Sequence, residues 1–189
     1  MAFVTSYPNT YDIYRGKDGH GIWIHGLPTK QKRDKFTKGC IAIDNPNIKC
    51  LNEDININET LLIINSSSMK KDLEKVTLTN ILTQLYKWRY AWKYNDIDAY
   101  LSFYDTNFVK SDGMNYNKFS AYKKRVFKKI EKRVIVFSDI NVIQYPDTQD
   151  IFQITFQEFY KSDTFEFAGQ KVLIVKLDKS GKIKILTEK

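Results

Sequence analysis

Apolar residues recur every three or four positions from Met69 to Tyr94, which predicts an amphipathic helix. The apolar stripe of this helix consists of Leu78, Ile81, Leu82, Leu85, Trp88 and Trp92. The same period predicts a short second helix over Ile97–Tyr104 and a third helix over Asn117–Arg133. The third helix would present a lysine-rich face to solvent and turn four residues inward, namely Phe119, Tyr122, Val126 and Ile130.

After the third helix the pattern becomes extended and predicts four strands, over Val134–Tyr145, Ile151–Tyr160, Thr164–Leu177 and Lys182–Leu186. The last two strands are separated by Asp178–Gly181, a sequence typical of a hairpin turn. Helices followed by a run of antiparallel strands predict an α+β domain whose helices pack on one face of the sheet.

The first 65 residues have a different texture, because short apolar runs alternate with Gly, Pro, Asn and Asp. This texture predicts strands and loops and no helices. One strand is expected over Gly21–His25, with Ile22 and Ile24 on one face and Trp23 and His25 on the other.

Further elements of this first part are a charged loop, a second strand, a turn and a third, buried strand, over Thr29–Lys35, Phe36–Ile43, Asp44–Asn47 and Leu61–Ile64 respectively. The serines at Ser66–Ser68 form a short polar link before the first helix. We therefore expect two domains, over residues 1–67 and 68–189.

The composition narrows the class of protein. Of 189 residues, 42% are hydrophobic and 14% aromatic, which suits a buried core and excludes intrinsic disorder. With 30 Lys and Arg against 22 Asp and Glu, the formal net charge is +8. A basic surface suits anionic partners such as nucleic acid, acidic membranes or cell-wall polymer.

Other classes are disfavoured by what the sequence lacks. The two cysteines, Cys40 and Cys50, argue against a disulfide framework, and no Cys/His spacing suggests zinc. We find no phosphate-binding or dinucleotide-binding glycine motif and no cluster of carboxylates and histidines typical of a metal site. No apolar run approaches the roughly 20 residues of a transmembrane segment. The first residues do not resemble a signal peptide, so an exported protein would need an export segment upstream of this chain.

Two short motifs carry the candidate chemistry. His25 and Cys40 are 15 positions apart, each at the end of a strand-like run. A thiol attacks only as the thiolate, so it needs a base such as His25 or a nearby positive charge such as Lys38. The amides of Gly39 and Cys40 could hold an oxyanion. From the residues alone, the alternative is a small buried cysteine and a structural histidine.

The stretches GHGIWIHG (Gly19–Gly26) and TKGCIAI (Thr37–Ile43) resemble the signature of YkuD-type L,D-transpeptidases. The variant Thr-Lys-Gly-Cys is similar to that of the cell-shape L,D-carboxypeptidases of helical Gram-negative bacteria. The second half resembles the NTF2-like domain that follows the catalytic domain in that group, through WRYAW (Trp88–Trp92), DIDAY (Asp96–Tyr100) and Phe103-Tyr104.

The resemblance implies a partial, β-rich catalytic segment over residues 1–67 and an NTF2-like cone over residues 68–189. It implies a periplasmic enzyme acting on peptidoglycan stem peptides, without a cofactor. Cys40 would be the nucleophile, His25 the base and Gly39 an oxyanion donor, with Gly26, Thr37 and Lys38 binding substrate. The sequence differs from the family pattern at two positions, Lys38 for a histidine and Ala42 for an arginine.

An alternative from another class is a catalytically inert segment whose NTF2-like half binds a small ligand, a glycan or a protein partner. Tyr86, Trp88, Tyr90, Trp92 and Tyr94 make the first helix rich in aromatic rings. Most are expected in the core, but some could line a pocket with Tyr100 and Tyr104. The lysine run at Lys123–Arg133 fits a solvated helix face, so no nucleic acid is expected. The sequence leaves open whether the protein forms a homodimer.

Overall fold

The structure of the chain is a computed structural model that describes residues 1–28, 37, 39–57, 59–66, 73–129 and 131–189. By its internal contacts the chain divides into two units, Met1–Ile64 and Asn65–Lys189. Residues 67 and 68, where the sequence predicts the boundary, lie outside the described residues, and that boundary stays a prediction.

The first unit contains a three-stranded sheet in the order β1-β2-β3, formed by Ala2–Val4, Trp23–Gly26 and Ile41–Ile43. β1 is antiparallel to β2, whereas β3 is parallel to β2. The strands predicted around residues 21–25 and 36–43 are thus present as β2 and β3, although β3 is shorter than predicted. Parallel pairing places the carboxyl ends of β2 and β3 at the same edge of the sheet.

Two helices in this unit contradict the prediction of strands and loops alone, α1 (Thr10–Tyr14) and α2 (Asn45–Asp54). The side chain of Asn9 caps α1 by accepting from the first-turn backbone amides. α2 begins at the predicted turn, because Pro46 in a first helical turn gives up an amide that has no partner within the helix. The third strand predicted at residues 61–64 was also wrong, since Leu61, Leu62 and Ile64 are 43–59% exposed and extend no ladder.

The second unit confirms the α+β prediction. Its helices are α3, α4 and α5, over Lys75–Lys93, Ile97–Ser102 and Tyr116–Phe127. Its antiparallel sheet has the order β4-β5-β6-β7, over Val134–Gln144, Ile151–Lys161, Glu166–Leu177 and Ile183–Glu188. The predicted hairpin turn joins β6 to β7, with Gly181 at a φ of 77°.

The sheet curves around a core that it shares with the helices. Register shifts occur between Ser138 and Asn141 in β4 and between Ile174 and Val175 in β6, and such bulges bend a strand. The predicted stripe of α3 is buried at Ile81, Leu85, Trp88 and Trp92, and α3 adds Ala91. These residues pack against sheet residues that include Ile135, Phe137, Phe152, Ile154 and Phe156.

Helix α5 ends at Phe127, earlier than the sequence predicts. Phe119 is buried as expected, but Tyr122 is 45% exposed and Phe127 is buried instead; Ile130 lies outside the described residues. The buried guanidinium of Arg133 donates to the carbonyl oxygens of Val126 and Lys129, at 3.3 Å each. Arg133 therefore binds carbonyls at the C-terminal end of α5, where the carbonyl of Val126 also accepts from the amide of Lys129.

Candidate functional site

The two predicted catalytic residues lie in or directly before neighbouring parallel strands of the first unit. His25 lies in β2 and pairs in register with Ala42 of β3, and Cys40 directly precedes β3. A parallel pair needs a connection of about a dozen residues or more, and the segment between Gly26 and Ile41 provides it. Most of that segment, including Lys38, lies outside the described residues.

The ring of His25 is held by a backbone carbonyl. Its Nδ1 atom lies 2.8 Å from the carbonyl oxygen of Gly26. Because a carbonyl oxygen can only accept, Nδ1 is the protonated nitrogen, and in the neutral ring Nε2 then has the basic lone pair. This is the tautomer that a general base requires.

The thiol of Cys40 is half-buried, and its Sγ atom lies 3.6 Å from the carbonyl oxygen of Gly21, to which it can donate. The hydroxyl of Thr37 donates to the carbonyl oxygen of Cys40. Thr37, predicted to bind substrate, therefore bonds to the loop that holds the thiol.

At two positions of the motif, Gly26 and Gly39, a side chain would not fit, and the steric reason differs between them. Gly39 has a φ of +113°, and a Cβ there would lie 2.8 Å from Cδ1 of Ile22. A side chain at residue 39 would thus be strained and crowded. At Gly26 a Cβ would collide with Oδ1 of Asn45, so the first turn of α2 occupies the space beside this glycine.

Asn45 is the residue of this region that sequence reasoning missed. It is the first residue of α2, and its Nδ2 atom donates to the carbonyl oxygen of Leu27 at 3.0 Å. The available signal was Pro46, which is as typical of a helix start as of a turn.

The remaining thiol and histidine take no part in the contacts given above. Cys50 is exposed on α2, with Sγ 3.9 Å from an oxygen of Asp54, and His20 is exposed. Across the part of the chain that the structure describes, no group of three or more His, Cys, Asp or Glu could hold a metal ion. Likewise, no helix among the described residues is long and apolar enough to span a membrane.

The second unit contains a buried polar cluster, which we define as Tyr100, Tyr104, Lys123, Glu158, Lys171 and Glu188. Glu188 accepts from the hydroxyl of Tyr104 at 3.0 Å and pairs with Lys171 at 3.4 Å. The hydroxyls of Tyr104 and Tyr100 are 2.7 Å apart. Oε2 of Glu158 is buried and has no hydrogen-bond partner among the described residues.

Lys123 belongs to this cluster and not to a solvated helix face, which corrects the prediction for it. Its Nζ atom lies 5.1 Å from the ring centre of Trp92 and 5.3 Å from those of Tyr100 and Phe119. Cation–π attraction to three rings and the carboxylate of Glu188 draw the ammonium inward. Burial lowers the pKa of Lys123 to about 8, and Glu188 opposes that change.

The pKa values of the two carboxylates in the cluster are shifted in opposite directions. Burial raises the pKa of Glu158, although Lys171 opposes it. At Glu188 burial also favours the protonated form, but the nearby Lys171 and Lys123 and the hydrogen bond from Tyr104 together hold its pKa below the ordinary value. Glu188 is therefore the ionised partner of the lysines.

The aromatic residues of α3 divide between two faces. Trp88 and Trp92 are core residues. Tyr100 in α4 and Tyr104 just after α4 also belong to the core. Tyr86, Tyr90 and Tyr94 are 40–61% exposed. They line a groove of about 790 Å³ along the other face of α3, and Asp96 and Ala99 also line this groove. The groove therefore contains the three exposed tyrosines of α3 but not Tyr100 and Tyr104, which the sequence analysis placed in the same pocket.

Comparison with protein-family models gives two matches in chain order. Residues 3–64 match the L,D-transpeptidase catalytic domain (YkuD), and residues 80–189 match the Cds6 C-terminal NTF2-like domain. A comparison with curated proteins gives no match.

Solved structures resemble the chain over its whole length. The helical cell shape determining protein Pgp2 from Campylobacter jejuni is 37% identical, with a TM-score of 0.85, and a point mutant of it gives 0.88. Bd1075 from Bdellovibrio bacteriovorus is 28% identical, with a TM-score of 0.80. Each comparison covers 100% of this chain and 66–67% of the other, so the chain spans about two thirds of their length.

A more distant similarity concerns the second fold alone. An NTF2-like protein of unknown function from Pseudomonas putida covers 62% of this chain and 87% of its own, with 11% identity and a TM-score of 0.52.

Proposed function

The chain belongs to the family of cell-shape proteins in which an L,D-transpeptidase catalytic domain precedes a Cds6-type NTF2-like domain, and we propose that it cleaves peptidoglycan stem peptides through a thioester on Cys40. The observation that carries this proposal is the placement of His25 in β2 and of Cys40 directly before the adjacent parallel strand β3, with the tautomer of His25 set by Gly26. The site of action would be the periplasm.

In the first half-reaction, Nε2 of His25 takes the thiol proton of Cys40. The thiolate attacks the carbonyl carbon that joins the diamino acid at position three to the terminal D-Ala. Backbone amides of Gly39 and Cys40 would donate to the tetrahedral oxyanion, and loss of one such donor typically costs about 3 kcal/mol. The intermediate collapses, D-Ala leaves with the proton from His25, and a thioester on Cys40 remains.

In the second half-reaction, His25 takes a proton from water, and the resulting hydroxide attacks the thioester carbonyl. Collapse releases the shortened peptide as a carboxylic acid and returns the proton to the sulfur of Cys40. An amine from a second stem peptide in place of water would give a crosslink. We favour hydrolysis, since the sequence variant around Lys38 is similar to that of carboxypeptidases.

The proposed substrate contacts are Gly26, Thr37 and Lys38. Lys38 has two open roles, stabilising the thiolate of Cys40 or binding a substrate carboxylate. In Lys38→Met the first role predicts a higher pH midpoint for alkylation of Cys40. The second predicts an unchanged midpoint and a raised KM.

The proposal is tested by D-Ala release from a purified tetrapeptide muropeptide. Cys40→Ala should abolish release, while the matched change Cys50→Ser should leave it intact, because Cys50 is exposed on α2. Cys40 should also react with a carbapenem or with iodoacetamide near neutral pH much faster than Cys50. D-Ala release by Cys40→Ala protein, or equally slow reaction of both thiols, would contradict this function.

The second candidate function, a binding module, is favoured by Oε2 of Glu158 in the buried polar cluster, which has no hydrogen-bond partner within the described part of the chain. A buried acceptor without a partner costs free energy, which a ligand that donates a hydrogen bond would recover. We therefore propose a small ligand that donates a hydrogen bond to Glu158, such as a portion of a stem peptide.

Calorimetric titration of Cys40→Ala protein with a tetrapeptide muropeptide tests this second function. Glu158→Gln should weaken binding at least several-fold, whereas Glu166→Gln, at an exposed pair with Lys161, should not change it. Equal binding by both variants would contradict it.

A further inference from the structure

Asn45 links the two chain segments that carry the proposed catalytic residues. It lies five residues after Cys40, and the strand β3 occupies the intervening residues 41–43. Its Nδ2 atom donates to the carbonyl oxygen of Leu27, two residues after His25, at 3.0 Å. The hydrogen bond thus ties the segment that follows Cys40 to the segment that follows His25.

The same side chain packs on the peptide that orients the imidazole. Oδ1 of Asn45 occupies the space where Gly26 lacks a Cβ, and one turn later Ile48 is 2% exposed against the same glycine. The carbonyl of Gly26 accepts from Nδ1 of His25. Movement of the Gly26–Leu27 segment would therefore displace the acceptor that helps to set the orientation of the His25 ring.

This contact contributes little to the stability of the fold. The hydrogen bond from Asn45 to Leu27 is solvent-exposed, and Asn45 itself is only half-buried. Exposed hydrogen bonds add little net free energy, whereas a displacement of about 1 Å in a reacting group can cost a hundredfold in rate. Loss of the contact should consequently affect the reaction more than the fold.

We propose that Asn45 is a positioning residue, which holds the Gly26–Leu27 segment so that Nε2 of His25 faces the thiol of Cys40. The inference rests on the proposed function, because it requires His25 and Cys40 to act as a pair.

The test compares Asn45→Asp with Asn47→Asp, both in a Cys50→Ser background that leaves one thiol to alkylate. The two changes have the same shape and charge and fall in the same first turn of α2, where a negative charge favours the helix. Asn47 is exposed. Asn45→Asp alone replaces the donor to Leu27 with an acceptor.

The first readout is the pH midpoint for alkylation of Cys40 by iodoacetamide, because a neighbouring imidazolium favours a thiolate. His25→Gln should raise it, and Asn45→Asp should raise it most of the way to the His25→Gln value. In Asn45→Asp we also expect kcat for D-Ala release to fall about tenfold at unchanged KM. Asn47→Asp should match the parent in each respect, and Asn45→Ala provides a second variant without a charge.

The outcomes separate this inference from the function on which it rests. A parental midpoint and kcat in both Asn45 variants, with a clear shift in His25→Gln, would overturn the inference and leave the function standing. Lower thermal stability in both variants without a shifted midpoint would assign Asn45 a purely structural role and also overturn it. An unchanged midpoint in His25→Gln would contradict the proposed function and this inference together.

Discussion

Lys171 and Glu188 form a buried ion pair between β6 and β7, with 3.4 Å between Nζ and Oε1 and side chains that are 18% and 3% exposed. Removal of one partner from such a pair leaves a buried charge, which typically costs about 3–5 kcal/mol. We expect Lys171→Met to lower the free energy of unfolding in urea at pH 7 by about 3 kcal/mol.

The same strand offers a control in Lys176, whose pair with Asp150 has 3.6 Å between charged atoms and is half-exposed. Exposed pairs contribute about 0–1 kcal/mol, so Lys176→Met should have a small effect. Equal losses in the two variants would show that the pair of Glu188 is screened by solvent.

The lowered pKa of Lys123 predicts a rise of stability with pH. Burial brings its pKa to about 8, whereas the unfolded chain has the ordinary value of about 10.4. Between these values the unfolded chain binds more protons than the folded chain, so the free energy of unfolding increases with pH in this window. Lys123→Met should lose this increase, as measured by urea unfolding at pH 7, 8, 9 and 10.

Lys124→Met is the matched control, because Lys124 is the exposed neighbour on α5. It should retain the rise between about pH 8 and 10. The groups that face Lys123 from other elements are Glu188, Lys171, Glu158 and Lys110. If the stability of Lys123→Met changed with pH as that of the parent does, the ammonium of Lys123 would be solvated in the parent.

Gly26 and Asn45 should be energetically coupled, because Oδ1 of Asn45 fills the space beside Gly26. Gly26→Ala alone should destabilise the chain, by the 1–3 kcal/mol typical of overpacking. In Gly26→Ala/Asn45→Ala the methyl group has room, so thermal unfolding should show a smaller loss than the sum of the single variants. Strict additivity would mean that the two side-chain positions do not meet.

Limited proteolysis should divide the chain near residues 66–68, as the sequence predicts. Asn65–Lys189 has its own core, formed by α3–α5 and the four-stranded sheet. A stable fragment that begins close to Met69 should therefore accumulate, as read from its mass and N-terminal sequence. It should release no D-Ala, because His25 and Cys40 are outside it. Degradation throughout the chain at one rate would argue against separable domains.

The elements of the second unit could be predicted from the sequence because each covers one continuous core. The stripe of α3 and the alternation in β4–β7 follow from which face meets that core, a property that neighbouring residues share. The first unit was harder, since its strands have only three or four residues and the five-residue helix α1 depends on the side-chain cap of Asn9. Such short elements have too few residues to show a period.

For the candidate site, too, part of the picture follows from the sequence and part only from the tertiary structure. By itself, the sequence determined the helical and extended periods of the second unit, because these depend on residue type and local spacing, and its resemblance to YkuD-type enzymes singled out His25 and Cys40 as candidates. Only the tertiary structure decided that Asn45 bonds to Leu27 and that Lys123 turns inward to aromatic rings and Glu188. These contacts join residues distant in sequence, and their free energy depends on where other elements place the partner.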